Sequence, residues 1–147
     1  MVAIAWPEQY VLHIEKEIQI DATPAIVFEA ILEQIGPRAD RPDGTPMPMK
    51  LEPWPGGRWY RDLGNNIGHF WGHVQVIKPP MLLEITGPMF MSYPVISHVQ
   101  YRLIEQAGGT RLTVLHRAIG DIAPEHRQGV NKGWEHILAR IKGRASK

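Results

Sequence analysis

The sequence predicts an α+β fold: a curved antiparallel sheet of about seven strands wrapped around a long C-terminal helix, with a shorter helical segment after the first strand. Three observations carry this. Residues 125–142 form a long helical pattern, with Val130, Trp134, Ile137, Leu138 and Ile141 on one stripe. Before it come about 70 residues that read as strand after strand, each bounded by turn residues. A sheet of that length has an apolar face to cover, and this helix supplies the cover.

Residues Val11 to Ile20 alternate, with Leu12, Ile14, Ile18 and Ile20 on one face and Lys16 as the exception among them. Thr23 before Pro24 is a helix start, because a threonine hydroxyl accepts from free amides and proline loses nothing in the first turn. That helix runs to Gly36-Pro37 and buries Phe28, Ile31, Leu32 and Ile35. Arg38 to Pro48 is rich in proline and charge without any period, a long loop of the kind that forms lids or rims of sites. Strands are expected near 49–54, 58–63, 67–77, 81–86, 95–106 and 110–118, separated by Pro55-Gly56-Gly57, Gly64-Asn65-Asn66, Pro79-Pro80 and Ala107-Gly108-Gly109. Residues 87–94 are irregular and apolar.

The 147 residues fit one domain, 1–147. With 16 Lys+Arg against 15 Asp+Glu there is no clustered basic field, so nucleic acid is not an expected partner. The absence of cysteine removes disulfides, thiolate zinc sites and a cysteine nucleophile. No stretch approaches the roughly 18 apolar residues of a membrane span. The N-terminus has no basic region, and its apolar run stops at Pro7-Glu8, which reads as a cytoplasmic chain without a targeting signal.

Several segments together resemble the START-like (SRPBCC, helix-grip) superfamily, and within it the branch named after the activator of heat-shock protein 90 ATPase. They are Ile18-Gln-Ile-Asp-Ala-Thr-Pro24, Pro55-Gly-Gly-Arg-Trp59, Gly72-His-Val-Gln-Val-Ile-Lys-Pro-Pro80 with Leu83 and Ile85, Gly109-Thr-Arg-Leu-Thr-Val-Leu-His116, and Gly133-Trp134. The resemblance implies a seven-stranded sheet gripping the last helix, often with an apolar cavity between them. Members include lipid and hormone carriers, polyketide cyclases and chaperone co-factors, so the fold does not fix the function. The loop after the first helix departs from the branch, lacking the tryptophans often seen there.

The strand phase expected to face inward is Phe70, Val74 and Val76, then Leu83 and Ile85, then Val99, Tyr101 and Leu103, then Leu112, Val114 and His116. The candidate cavity lining comprises Trp54, Trp59, Phe70, Trp71, Val74, Leu83, Ile85, Met89, Tyr93, Val99, Tyr101, His116, Trp134 and Leu138. Aromatic and methionine side chains suit adaptable apolar walls, and Tyr101 and His116 add polar tips. On the last helix, Trp134 and Leu138 are expected to face the cavity and Val130 and Ile141 to seal its ends.

No metal site and no cofactor are expected. His69 and His73, four apart on a strand, would stand roughly 13 Å from each other. A composite site from His98 and His116 on different strands stays open. No complete catalytic constellation can be assembled, since a nucleophile elbow and a phosphate loop are both missing. Arg58 and Arg61 beside Trp59 and Tyr60 could grip a ligand carboxylate. The expected function is a module holding a small apolar or amphipathic molecule. The alternatives are a cyclase- or hydrolase-like enzyme using His116 or Tyr101, and a protein-binding module of the chaperone-regulator kind.

Overall fold

The computed structural model describes residues 7–146; the residues before Pro7, on which most of the N-terminal reading rested, lie outside it. After a short 3-10 turn, Glu8–Tyr10, the elements are β1 (Val11–Ile20), α1 (Pro24–Ile35), β2 (Lys50–Leu51), β3 (Arg58–Asp62), β4 (Gly68–Lys78), β5 (Leu82–Gly87), β6 (Val95–Gln106), β7 (Gly109–Gly120) and α2 (Pro124–Ala145). The strands form one antiparallel sheet in the order β1-β7-β6-β5-β4-β3-β2. β2 to β7 thus form a meander, and β1 joins at its end by pairing with β7.

The expected α+β architecture is therefore present, and the element boundaries follow the local chemistry. The Thr23 hydroxyl accepts from the Ile26 amide and Pro24 opens α1. Gly36 ends it, at a position where a β-carbon would fall 2.6 Å from the Leu32 carbonyl oxygen. The predicted stripe holds, with Phe28, Ile31 and Ile35 buried and Leu32 half-buried. The concave face of the sheet carries Leu83, Ile85, Val99, Tyr101, Leu103, Leu112, Val114 and His116, all buried against the helices.

In β4 the inward phase holds at Val74, which is buried, but fails at Phe70 and Val76, where two register shifts intervene. One bulge lies opposite Trp59 and Tyr60, so Trp59 pairs with Gly72 but Tyr60 with Phe70. The extra residue, Trp71, moves with His69 to the inner face, and Phe70 is turned outward and 40% exposed. The second shift falls between Val74 and Val76, so that Ile77 rather than Val76 stands opposite buried Leu83. A one-residue slip exchanges the two faces of a strand, and simple alternation cannot anticipate it.

Candidate functional site

Between the concave face, α1, the 36–49 segment and α2 lies a cavity of about 490 Å³. The sheet contributes Trp59, Trp71, Ile85, Val99, Tyr101 and His116, and Met89 and Phe90 come from the β5–β6 loop. The 36–49 segment contributes Ala39, Asp40, Arg41, Pro42, Met47 and Met49. On the helices, Gln34 and Ile35 of α1 face His126, Gly129, Val130, Gly133, Trp134, His136 and Ile137 of α2.

Of the residues expected in the lining, Trp59, Trp71, Ile85, Met89, Val99, Tyr101, His116 and Trp134 meet there. Val74 and Leu83 are buried in the core without lining the cavity, and Leu138 borders a separate groove between β1 and α2. Trp54 is 54% exposed in the β2–β3 turn, because that segment ends its pairing at Leu51 and has no strand alternation to carry the ring inward. Phe70 is outside for the bulge reason given above. Tyr93 lies behind the cavity wall, stacked on His126 with ring centroids 5.4 Å apart and its hydroxyl 2.8 Å from His126 Nδ1. On α2 the division of labour differs from expectation: Val130 lines the cavity, and Ile141 is wholly buried in the core.

The walls are held by indole donors. Trp59 Nε1 donates to the Ile35 carbonyl at 2.7 Å, satisfying one of the acceptors that the end of α1 leaves open. Its ring meets Trp71 edge-on at 5.1 Å. Trp134 Nε1 donates to His116 Nδ1 at 3.0 Å, and His116 Nε2 is 2.9 Å from Ser97 Oγ. An indole nitrogen only donates, so Nδ1 is the acceptor and the proton of the neutral ring sits on Nε2, facing Ser97. Burial pushes the His116 pKa down to about 4, keeping the ring neutral near pH 7. Tyr101 is 1% exposed, and burial alone pushes its hydroxyl upward, so it stays protonated. His98 does not join His116. It pairs with Arg117 on the neighbouring strand while Val99 pairs with His116, which places the two rings on opposite faces. There His98 Nε2 lies 2.8 Å from Glu84 Oε1.

The polar end of the cavity is built by the 36–49 segment. The predicted loop is ordered by its own backbone: Arg41 N donates to Thr45 O, Met47 N to Ala39 O and Met49 N to Gly36 O. Asp40 Oδ1 accepts from Gln34 Nε2 and faces His136 Nε2, each at 2.9 Å, and Asp40 Oδ2 lies 2.8 Å from Arg140. Burial works to raise the Asp40 pKa, but the bonds from His136 and Gln34 and the Arg140 charge together hold it below the usual carboxylate range. Arg144 adds bonds to Gln34 Oε1 and the Arg38 carbonyl, so the segment is fastened to both helices. The sequence reading missed these partners because, apart from Gln34 and Asp40, each contact joins residues about a hundred positions apart, and the Gln34–Asp40 pair spans a helix end with no local period. It also missed Gly129 and Gly133, whose spacing of four on α2 was a legible sign of a helix face without side chains.

The model of the family described as "Activator of Hsp90 ATPase homolog 1-like protein" matches residues 21–145, from the end of β1 to the end of α2. The chain belongs to this family. For this Hsp90-activator-like chain, a comparison with curated proteins finds no match. Among solved structures it is similar to protein CV1439 from Chromobacterium violaceum, with 17% identity, a TM-score of 0.69, and 92% of this chain and 97% of that chain covered. CalU16 from Micromonospora echinospora is 25% identical, with a TM-score of 0.61 over 91% of this chain and 76% of that one. The di-domain ARO/CYC StfQ from the steffimycin biosynthetic pathway shares the fold at 10% identity and a TM-score of 0.64, over 93% of this chain and 51% of that one. No described helix of this family member is long and apolar enough to cross a membrane.

Proposed function

We propose that this chain is a binding module that holds a small apolar or amphipathic molecule in the cavity between sheet and α2. The observation that carries the reading is the missing side chains on the cavity face of α2. Gly129 and Gly133 both line the cavity, and a β-carbon at either would meet nothing within 4 Å. A glycine in a helix interior costs about 1 kcal/mol relative to alanine, so the two together cost about 2 kcal/mol. No packing contact at either position accounts for that cost, whereas an occupant lying against the bare helix backbone would. The volume falls in the range of small-molecule sites, and the walls of three indoles, Met47, Met49 and Met89 are apolar and adaptable. Tyr101 supplies a protonated hydroxyl for one hydrogen bond.

An enzymatic reading has less support. Both ring nitrogens of His116 are engaged, and neither a depressed histidine facing Ser97 nor a raised tyrosine is poised for proton transfer near neutral pH.

The test is a Gly133→Phe variant beside the native chain, both screened against apolar and aromatic compounds by native mass spectrometry and thermal shift. Ligand shifts present in the native chain and absent in a folded Gly133→Phe protein support the cavity. Equal shifts in both would show that binding happens elsewhere.

A further inference from the structure

We infer that the occupant is an amphipathic carboxylate, its apolar body in the cavity and its acid group on Arg41; this rests on the cavity-binding reading above. Asp40 and Arg41 are the aspartate and arginine in the cavity lining, which holds no lysine or glutamate. Asp40 is already answered, by Arg140 at 2.8 Å and by Gln34 and His136 at 2.9 Å. Arg41 has no ion-pair partner within 4 Å among the described residues. Asp43 feels the Arg41 charge without forming an ion pair with it, and its carboxylate accepts from the Thr45 amide at 2.8 Å. The lining therefore presents one cation without an ion pair beside an acid that is already paired, at the polar end of a cavity that is otherwise mainly apolar.

Arg41 is also held in place without using its guanidinium. Its amide donates to the Thr45 carbonyl at 2.9 Å and its own carbonyl accepts from Gly44 at 2.8 Å. The five guanidinium donors stay available in a planar fork that matches a carboxylate. Arg58, which the sequence suggested for this role together with Arg61, is occupied by Glu52 through two bonds of 2.9 and 3.0 Å, and neither Arg58 nor Arg61 lines the cavity.

The experiment compares lauric acid, dodecanol and methyl laurate, which share one apolar body, by quenching of the cavity tryptophans and by calorimetry at pH 7.5. The native chain is expected to bind laurate roughly five- to tenfold more tightly than dodecanol, with the preference shrinking as salt is raised. Arg41→Gln, a change at an exposed side chain whose loop is fixed by backbone bonds, is expected to erase that preference by bringing laurate affinity down toward that of dodecanol. Arg41→Lys is expected to restore part of it. Equal affinity for acid and alcohol in the native chain, or an acid preference that survives Arg41→Gln, overturns the inference while leaving the cavity reading intact. Failure of all three compounds to bind the native chain, alongside a negative broad screen, removes both.

Discussion

Trp134 Nε1 donates to His116 Nδ1 at 3.0 Å, and this bond decides the histidine's tautomer. It joins the middle of α2 to β7 inside the core, where His116 is 2% exposed. A buried polar pair of this kind ties helix to sheet in one orientation, since sliding α2 by a residue would leave both groups unpaired at a cost of about 1–3 kcal/mol each.

The same pair sets a pH dependence. His116 has its pKa lowered from 6.5 to about 4 in the folded chain. The unfolded chain therefore binds more protons between those values, and stability falls as pH drops through that window while staying flat above it. The full loss is on the order of 3 kcal/mol. Urea unfolding between pH 7.5 and about 4.5 should show this slope in the native chain, and a His116→Phe variant, whatever its absolute stability, should lack it.

Replacing Gly133 with alanine should stabilise the protein by about 1 kcal/mol, because the position lies inside α2 with open space around its β-carbon. Thermal or urea denaturation measures the gain. A loss of stability would mean that the cavity wall is closer than the open space beside Gly133 indicates.

Asp40 fastens the 36–49 segment to α2, and Asp40→Asn should destabilise the chain by about 2 kcal/mol at pH 7 by weakening bonds to His136 and Arg140. Its folded pKa is depressed, so the carboxylate's contribution is present above the unfolded value near 3.8 and is lost as pH falls through the folded value. The difference between native and variant chains in urea midpoints should accordingly shrink in strong acid. Hydrogen exchange should show faster opening of residues 36–49 in the variant at neutral pH.

Trp54 and Trp59 are five residues apart but should respond very differently to replacement. Trp59→Ala removes a buried ring and leaves the Ile35 carbonyl without its donor, and it should cost about 3–5 kcal/mol. Trp54→Ala removes an exposed ring and should change stability by less than about 0.5 kcal/mol. Paired denaturation curves decide it.

How far the site was legible in the sequence follows the range of the interactions. Alternation in β6 and β7 placed Val99, Tyr101 and His116 on the inner face, since their pairing is regular throughout. In β4 the same reasoning turned Phe70 inward, because a bulge is a property of two strands pairing and leaves no local period. Trp54 was read into a strand that ends at Leu51.

By itself the sequence determined the order of the elements, the caps of α1, the stripe of α2 and the sheet with its turns. These depend on contacts within a few residues, so they are written in local periodicity and turn chemistry. Tertiary structure alone decided which residues of the 36–49 loop, read from sequence as a lid or rim, line the cavity, that Asp40 is paired across the chain with Arg140, and that Arg41 is left without an ion pair among the described residues. Those facts belong to side chains a hundred positions apart, brought together by the burial of α2 against the sheet, and no local pattern encodes which of two neighbouring charges will find its partner.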